Sequence, residues 1–195
     1  MQPWSRASLA ILLLTAARAA ASSPAEVRVD AERLGDGVAV HARATVHAPA
    51  AIVWQVLTDY EQLPAFIPGI ARSVVLERHG NELRLEQSGE ARFLIFSFPI
   101  EVRYEVVEAP PFSVTSRAIA GNLKRMTGRY DIQPDSDGPA SHDGEAVQLR
   151  YSGVIEPSFD LPPIVGAAAL RSMAEEQFAA MVAEIERRGA AGGRR

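Results

Sequence analysis

The sequence contains no cysteine among its 195 residues, which excludes disulfide bonds, thiolate nucleophiles and cysteine-ligated metals. Histidine is also scarce: His41, His47, His79 and His142 fall on a polar strand face or in predicted turns, with no spacing that suits a metal. The sequence has no phosphate-binding loop and no G-x-S-x-G nucleophile elbow. It therefore predicts no metal site, no cofactor and no hydrolase triad.

An excess of basic residues is absent as well. The chain has 20 lysine and arginine residues against 24 acidic ones, which gives a formal net charge of −4. The two signs are interspersed, whereas a nucleic-acid surface would show a basic stripe. We therefore expect no nucleic-acid partner. Hydrophobic residues make up 47% of the chain, so one domain with a substantial core is expected.

A long hydrophobic run is missing at the N-terminus. ASLAILLLTAA is too short for a transmembrane helix, which needs about 20 residues. It follows one positive charge and precedes small residues that fit an A-x-A cleavage motif ending at Ala19 or Ala21. Residues 1–21 are predicted to be a secretory signal peptide, followed by a mature chain from near Ser22 with a lead-in over 22–37. The alternative is an uncleaved N-terminal anchor.

This N-terminal pattern determines the expected localisation. A cleaved signal peptide predicts an exported protein, in the periplasm, with no stable membrane insertion after cleavage. Export of a chain without cysteine suits an oxidising compartment, since no thiol can be wrongly oxidised there.

The first folded elements are predicted from periodicity. Residues 38–46 (VAVHARATV) alternate in two sets, which indicates a strand with one buried face. Pro49 can start a helix, and the AAIVWQVL segment after it has one apolar side. The following TDYEQLPAFIP predicts a second short helix, with Asp59 as its cap and Gln62 as the capping-box partner.

The central segment, 70–157, has the pattern of about six consecutive antiparallel strands. SFPIEVRYEVVE shows the clearest alternation, which is typical of a half-buried antiparallel strand. A polar segment at 134–145 (PDSDGPASHDGE) predicts a mobile hairpin tip. The apolar face of the clearest strand consists of Phe98, Ile100, Val102, Tyr104 and Val106.

The last segment has a helical period instead. A run that opens at Pro162-Pro163 and continues to about Arg188 places its apolar side chains on one stripe, and Gly189 can stop the helix. Residues 189–195 are expected to form a frayed tail.

The predicted fold class is α+β. A strongly curved antiparallel sheet of about seven strands wraps around the long C-terminal helix, and two short helices follow the first strand. A curved sheet and a straight helix do not match in shape, so a cavity between them is expected.

These features resemble the START-like (SRPBCC) superfamily of helix-grip domains, and within it the polyketide cyclase/dehydrase branch that includes the coenzyme Q-binding proteins. The resemblance covers 38–188 and implies a domain that binds lipids, sterols, quinones or polyketides between sheet and helix; some members are cyclases. Export departs from the better-known members, which act inside cells. The residues that carry the resemblance are Ala48-Pro49, Val53-Trp54, Val56-Leu57, Thr58-Asp59-Tyr60-Glu61, Leu63-Pro64, Phe66, Pro68, Gly128-Arg129-Tyr130 and Leu149-Arg150-Tyr151.

Asp59 and Glu61 raise the question of a general acid/base pair. The competing interpretation is a helix cap followed by a solvated carboxylate in the first turn, both of which are favourable at a helix N-terminus. We favour the second, because residues two apart do not face each other on a helix. The segment is then expected to close one end of the sheet, with Leu63, Phe66 and Ile67 near the mouth of the pocket.

Candidate pocket residues follow from the strand phases and the helix stripe. Methionines and tyrosines suit a flexible apolar ligand with one polar group, although each could instead belong to a solid core. Gln87, if buried, needs a hydrogen-bond partner, and Arg117 could reach a carboxylate or carbonyl unless its strand is shifted by one residue. The predicted pocket set is Trp54, Phe66, Gln87, Phe93, Phe98, Tyr104, Arg117, Met126, Tyr130, Tyr151, Met173 and Phe178.

Three functions are compatible with this sequence. The first is a non-catalytic carrier or sensor of a hydrophobic small molecule such as a lipid, a quinone or a polyketide-like compound. The second is a cyclase or dehydratase, in which pocket tyrosine or arginine residues polarise a carbonyl; it requires an ionisable group inside the cavity. The third is an interaction module whose pocket is filled by its own side chains. The first is favoured, without catalytic residues.

Overall fold

The computed structural model describes residues 25–93, 96–134, 146–158 and 163–192. Eleven elements follow one another within these described ranges. Their bounds are β1 Arg28–Leu34, β2 Gly37–His47, α1 Ala50–Leu57, a 3₁₀ helix Tyr60–Ala65, β3 Ile70–His79, β4 Glu82–Phe93, β5 Phe96–Ala109, β6 Ser113–Gly121, β7 Leu123–Pro134, β8 Ala146–Pro157 and α2 Pro163–Gly192.

The described strands form a single antiparallel sheet in the order β1-β2-β8-β7-β6-β5-β4-β3. Among the described strands, only the β2–β8 contact joins strands that are distant in sequence, because α1, the 3₁₀ helix and the β3–β7 meander lie between them. The sheet curves around α2, as the sequence predicts for an α+β helix-grip fold. β1 and β3 form its two edges.

The sheet has eight strands where the sequence predicts about seven. The additional strand is β1, which lies in the 22–37 segment predicted as a lead-in and pairs with β2 along its full length. Of the β1 side chains only Val29 is buried, so this edge strand lacks the alternation that marks a half-buried one. The folded domain therefore begins before residue 38.

Where apolar and polar residues alternate clearly along a strand, the alternation predicts correctly which side chains point to the inner face of the sheet. In β2, Val40 and Val46 are fully buried while His41 and Arg43 are exposed. In β5 the inner face carries Val102, Tyr104 and Val106, and the acidic and basic residues between them point outward.

Helix α2 fills the concave side of the sheet. Its 30 residues extend about 45 Å at 1.5 Å per residue, and they contact β1, β2, β4 and α1. Its buried stripe consists of Leu170, Phe178, Met181, Val182 and Ile185.

The helix continues past the glycine that was expected to stop it. Gly189 lies inside α2, which ends at Gly192. A Cβ at position 189 would lie 3.0 Å from Cβ of Ala48, so this glycine permits a close approach of the helix to the β2–α1 connection. The predicted end at Arg188 is therefore wrong by about one turn.

Several predictions lie outside the described residues. They are the signal peptide at 1–21, the hairpin tip at 134–145 except for Pro134, and the last three residues of the predicted tail. Across the ranges that are described, no helix has both the length and the apolar character needed to cross a membrane.

Candidate functional site

The corner formed by α1 and the 3₁₀ helix closes one end of the sheet. Val53, Val56 and Leu57 of α1 are buried, and the hydroxyl of Thr58 donates a hydrogen bond to the carbonyl of Trp54 at 2.9 Å. Tyr60, on the 3₁₀ helix, is also buried. The TDYE segment is therefore a structural corner whose apolar side chains face inward.

Asp59 does not cap this corner through its side chain. No side-chain cap hydrogen bond is formed at the start of the 3₁₀ helix; instead, Oδ2 of Asp59 accepts a hydrogen bond from Arg188 of α2 at 2.8 Å. Glu61 is exposed. The predicted capping box is wrong because the longer-range ion pair takes the carboxylate. The Asp59 carboxylate is therefore part of an ion pair with α2.

A buried carboxylate fastens the same corner to the sheet. Glu108, at the end of β5, accepts a hydrogen bond from the Tyr60 hydroxyl at 2.9 Å and two from the guanidinium of Arg78, at 2.9 and 3.1 Å. Burial, followed by the charge of Glu108, raises the pKa of Tyr60. The hydrogen bond to Glu108 raises the pKa of Arg78. The cluster therefore holds a neutral phenol and an ion pair at neutral pH.

The cluster was not predicted from the sequence, although one signal for it was present. Glu108 continues the inward phase of Val102, Tyr104 and Val106 along β5. A carboxylate on an inner face must be paired, so its position alone predicts a partner. The identity of the partners follows only from the fold, because they lie 30 and 48 residues away.

A cavity of about 280 Å³ lies between the concave face of the sheet and α2. Its walls are mostly apolar. They come from β2, the corner, β3 to β8 and the middle of α2 (residues 169–181). Outside the predicted pocket set, the lining includes Val40, Ala42, Leu57, Tyr60, Leu63, Ile67, Ile70, Leu85, Ile100, Val106, Val114, Ser116, Leu123, Ile155, Leu170 and Met181.

Most of the predicted pocket set is brought together around this cavity. The members that line it come from β4, β5, β7, β8 and α2, and they include the two polar-tipped tyrosines that pair across β7 and β8. These lining residues are Gln87, Phe98, Tyr104, Met126, Tyr130, Tyr151, Met173 and Phe178.

Three members of the set lie elsewhere, and one is not described. Trp54 and Phe66 pack against the core outside the cavity, and the guanidinium of Arg188 lies 5.7 Å from the centre of the Phe66 ring. Arg117 is on the outer face, where it pairs with Glu105. The placement of the Phe93 side chain is outside the described part of the structure.

The outward position of Arg117 is a correction to the prediction, with a clear cause. Arg117 pairs in register with Glu105 of β5, whose side chain alternates with the inward Tyr104 and Val106. The inward residues of β6 are Val114 and Ser116, which line the cavity. The sheet therefore has the other register, shifted by one residue from the predicted one, and in this register the Arg117 side chain is exposed.

The exposure of the lining residues shows where the cavity opens. Leu63 and Ile67 line the cavity but are buried. The exposed part of the lining is Gly69, Glu90 and Arg92, at the start of β3 and the end of β4. The mouth therefore lies at the β4 end, and the corner forms the closed end.

Two amides help to shape the cavity wall. Nε2 of Gln87 donates a hydrogen bond to Oγ of Ser73 at 3.2 Å, which supplies the partner that a partly buried amide requires. Nε2 of Gln177 donates to the carbonyl of Pro68 at 3.0 Å and so joins α2 to the chain before β3.

Three tyrosines add further polar atoms to the inner wall. The hydroxyl of Tyr104 lies 3.2 Å from Sδ of Met126. Tyr130 and Tyr151 face each other across β7 and β8 with ring centres 4.9 Å apart, and Tyr130 is stacked on Phe178 at 6.5 Å. Burial is the main cause of a raised pKa at all three, and the pKa of Tyr151 is raised to about 12.

Two paired glycines make room for one of these rings. Gly128 and Gly153 are direct partners across β7 and β8. A Cβ at Gly128 would lie 2.9 Å from Oη of Tyr151, and one at Gly153 would collide with the same hydroxyl. The Tyr151 side chain therefore lies over a patch of sheet that only glycine leaves open.

Charge is confined to the mouth of the cavity. Among the described lining residues, the charged side chains are Glu90 and Arg92, which form an exposed ion pair at 2.7 Å. In the same described ranges, no cluster of three histidine or acidic side chains could hold a metal ion. The interior can therefore offer apolar contact and neutral hydrogen-bonding groups.

The chain belongs to the family described as polyketide cyclase / dehydrase and lipid transport, whose family model matches residues 46–182. That range extends from the end of β2 to the last third of α2 and covers most of the cavity lining. Among curated proteins, no sequence match to the chain was found.

Solved structures share the fold at low sequence identity. The Zhui aromatase/cyclase from Streptomyces sp. R1128 has a TM-score of 0.60 at 15% identity, covering 87% of this chain and 97% of its own. A STAR-related lipid transfer protein from Xanthomonas axonopodis has a TM-score of 0.62 at 16% identity, covering 82% and 93%. A START superfamily protein from Mycobacterium smegmatis has a TM-score of 0.58 at 16% identity, covering 78% and 97%. These similarities establish the START-like fold.

Proposed function

We propose that this protein binds a hydrophobic small molecule, a lipid, a quinone or a polyketide-like compound, as a carrier or sensor. The observation that carries the proposal is the apolar cavity between the sheet and α2. Its volume of about 280 Å³ is at the lower end of the range of small-molecule sites, roughly 300–1,000 Å³. Membership of a family that includes lipid transport supports the same conclusion.

A carrier or sensor role is favoured over catalysis by the chemistry of the lining. The charged pair in the described lining is exposed at the mouth, and the buried carboxylate Glu108 is already bound by Arg78 and Tyr60. The described part of the inner wall therefore offers a ligand contact surface without a carboxylate or imidazole base.

A cyclase or dehydratase is the second candidate, and one observation favours it. Tyr104, Tyr130 and Tyr151 are ionisable groups inside the cavity, and burial raises the pKa of each. A phenol that keeps its proton could donate a hydrogen bond to a substrate carbonyl, which is the role that a cyclase would require. One of the structural neighbours is an aromatase/cyclase.

An interaction module with a filled pocket is the least supported alternative. It requires a cavity far smaller than the range of small-molecule sites, and the cavity nearly reaches that range.

Ligand-induced stabilisation tests the proposal. A lipid, a quinone and an aromatic polyketide-like compound, each at 100 times its dissociation constant, should raise the free energy of unfolding by about 2.7 kcal/mol. The measurement is the melting temperature with and without each compound. Absence of any shift across the three classes would contradict hydrophobic ligand binding.

Export to the periplasm is part of the same proposal, and it rests on the sequence of residues 1–21. Cell fractionation followed by N-terminal sequencing tests it. We expect a periplasmic protein that begins near Ser22. A cytoplasmic protein that retains residues 1–21 would contradict export, and a membrane-bound one would indicate an uncleaved anchor.

A further inference from the structure

Two of the tyrosine hydroxyls at the cavity have no hydrogen-bond partner among the described residues. The hydroxyl of Tyr60 is bound to Glu108, and that of Tyr104 to Met126. Those of Tyr130 and Tyr151 make no hydrogen bond within the described ranges, although both residues line the cavity. In those ranges no fully buried side-chain nitrogen or oxygen lacks a partner. These two hydroxyls are therefore accessible from the cavity.

The packing around both rings fixes where the hydroxyls point. Tyr151 lies against Gly128 and Gly153, so its ring cannot be closer to the sheet. Tyr130 is held between Tyr151 and Phe178. Because neither ring has to move, a ligand group that reaches the two hydroxyls meets hydrogen-bond donors that are already in place.

The electrostatic surroundings select the kind of group that can be bound. Burial raises the pKa of Tyr151 to about 12 and also raises that of Tyr130, so both phenols keep their protons at neutral pH. The charged residues of the described lining, Glu90 and Arg92, neutralise each other at the exposed mouth. A carboxylate or ammonium brought to the tyrosines would lose its hydration without a counter-ion, which is strongly unfavourable.

We infer that the ligand carries an uncharged hydrogen-bond acceptor, a ketone, quinone or ester carbonyl, at its buried end, and that Tyr130 and Tyr151 donate to it. This inference rests on the proposed hydrophobic ligand binding and specifies it further. The remainder of the ligand is apolar, because the rest of the described lining offers mainly apolar contact.

Three probes of nearly the same shape test the inference: 2-acetylnaphthalene, 2-isopropylnaphthalene and 2-naphthoate. They carry a neutral carbonyl, no oxygen and a carboxylate, respectively. Calorimetric dissociation constants should favour the ketone over the hydrocarbon by about three- to tenfold, the range of one net hydrogen bond. The carboxylate should bind most weakly of the three.

Substitution of the two tyrosines tests whether their hydroxyls cause the preference for the ketone. Tyr151→Phe and Tyr130→Phe should reduce the preference for the ketone over the hydrocarbon, while the affinity for the hydrocarbon stays the same. Thr115→Val is the matched control: it also removes one hydroxyl from the sheet, but on the exposed outer face, and it should leave the preference unchanged.

A measurement on the unaltered protein tests the inference even if the variants do not fold. The infrared carbonyl stretch of bound 2-acetylnaphthalene should move to lower frequency than in alkane solvent, since a hydrogen bond weakens the C=O bond. A stretch at the alkane value would overturn the inference.

The outcomes separate the inference from the proposed function. Equal binding of ketone and hydrocarbon, or tightest binding of the carboxylate, would overturn the inference while hydrophobic binding stands. Failure of all three probes to bind, together with no melting shift from lipids or quinones, would overturn the proposed function and the inference with it.

Discussion

Single residues in this protein act through partners that are far away in sequence. Glu108 illustrates this: its carboxylate is buried in an otherwise apolar wall and is held by Arg78 of β3 and Tyr60 of the corner. A buried charge without partners would be strongly unfavourable. The cluster therefore connects the position of the corner, and with it the closed end of the cavity, to the end of β5.

Replacement of Glu108 tests this connection. Glu108→Gln removes the negative charge and leaves the Arg78 guanidinium without its counter-ion, so we expect a loss of about 1–3 kcal/mol in the free energy of unfolding. Urea unfolding measures it. The control is Glu105→Gln on the same strand, which breaks an exposed pair with Arg117 and should cost less than about 1 kcal/mol. Equal losses in both variants would contradict the account.

The glycine pair under Tyr151 provides a second prediction at this scale. In Gly153→Ala the new methyl group would collide with the Tyr151 hydroxyl and approach the carbonyl of Thr127 at 2.6 Å. We expect a loss of about 1–3 kcal/mol from overpacking, measured by urea unfolding. Gly192→Ala, where a Cβ meets nothing within 4 Å, is the control. An unchanged Gly153→Ala stability would show that the ring moves freely.

At the scale of elements, α2 is joined to the corner by an ion-pair network. Arg188 donates to Asp59 at 2.8 Å and to Glu184 at 2.7 Å, and it also lies over Phe66. Gln177 joins the same helix to the carbonyl of Pro68. The helix is thereby fixed to both ends of the segment that precedes β3, so the distance between helix and sheet is well defined.

This network makes stability depend on pH. The hydrogen bond from Arg187, followed by that from Arg188, lowers the pKa of Glu184 from its ordinary 4.5 to about 2. A lowered carboxyl pKa stabilises the fold above pH 4.5, and this contribution is lost as the pH falls towards 2. Glu184→Gln should therefore be less stable than the unaltered protein at pH 7, on the order of 1–2 kcal/mol.

Urea unfolding at several pH values measures this contribution. The difference in stability between the two proteins should shrink between pH 4.5 and 2. A difference that stays constant over that interval would show that ionisation of Glu184 is not its source.

Sequence periodicity predicted the elements best where one face is fully buried. β2 and β5 alternate clearly because their outer faces are solvated, whereas the inner face of β2 packs against α2 and that of β5 lines the cavity. β1 was missed because only Val29 of this edge strand is buried. The mixed sequence of β6 allows either phase, and only its pairing with β5 places Arg117 outside. The partners of Glu108 and Asp59 were beyond sequence analysis, because contacts over 30 to 129 residues depend on the complete fold.

At the scale of the whole molecule, the cavity follows from the mismatch between a curved sheet and a straight helix. The strands bend around α2, but the side chains of the sheet leave a space beneath the middle of the helix. Eight of the residues that sequence analysis selected line this space. Six of them were selected by strand phase and two by the helix stripe. The selection failed for Trp54 and Phe66 of the corner, to which no strand phase applies, and for Arg117 on the one strand whose phase is ambiguous.

A substitution that fills the cavity should reduce ligand binding without lowering the stability of the empty protein. Ala42 lines the cavity, whereas Ala44, two residues further along the same inner face, is buried outside it. Ala42→Leu should therefore abolish most ligand-induced stabilisation while changing the free energy of unfolding of the empty protein little. Ala44→Leu should lose about 1–3 kcal/mol from overpacking. Thermal unfolding with and without ligand distinguishes them, and a large loss of stability in Ala42→Leu would argue against open space there.

The central claim is that the cavity holds a hydrophobic ligand in the cell. Native mass spectrometry of the protein purified from its own cells, followed by organic extraction, tests this most directly. We predict an added mass that extraction releases as an uncharged, largely apolar compound with a carbonyl group. A protein that is empty after gentle purification, and whose melting temperature does not respond to any apolar compound offered, would contradict the claim.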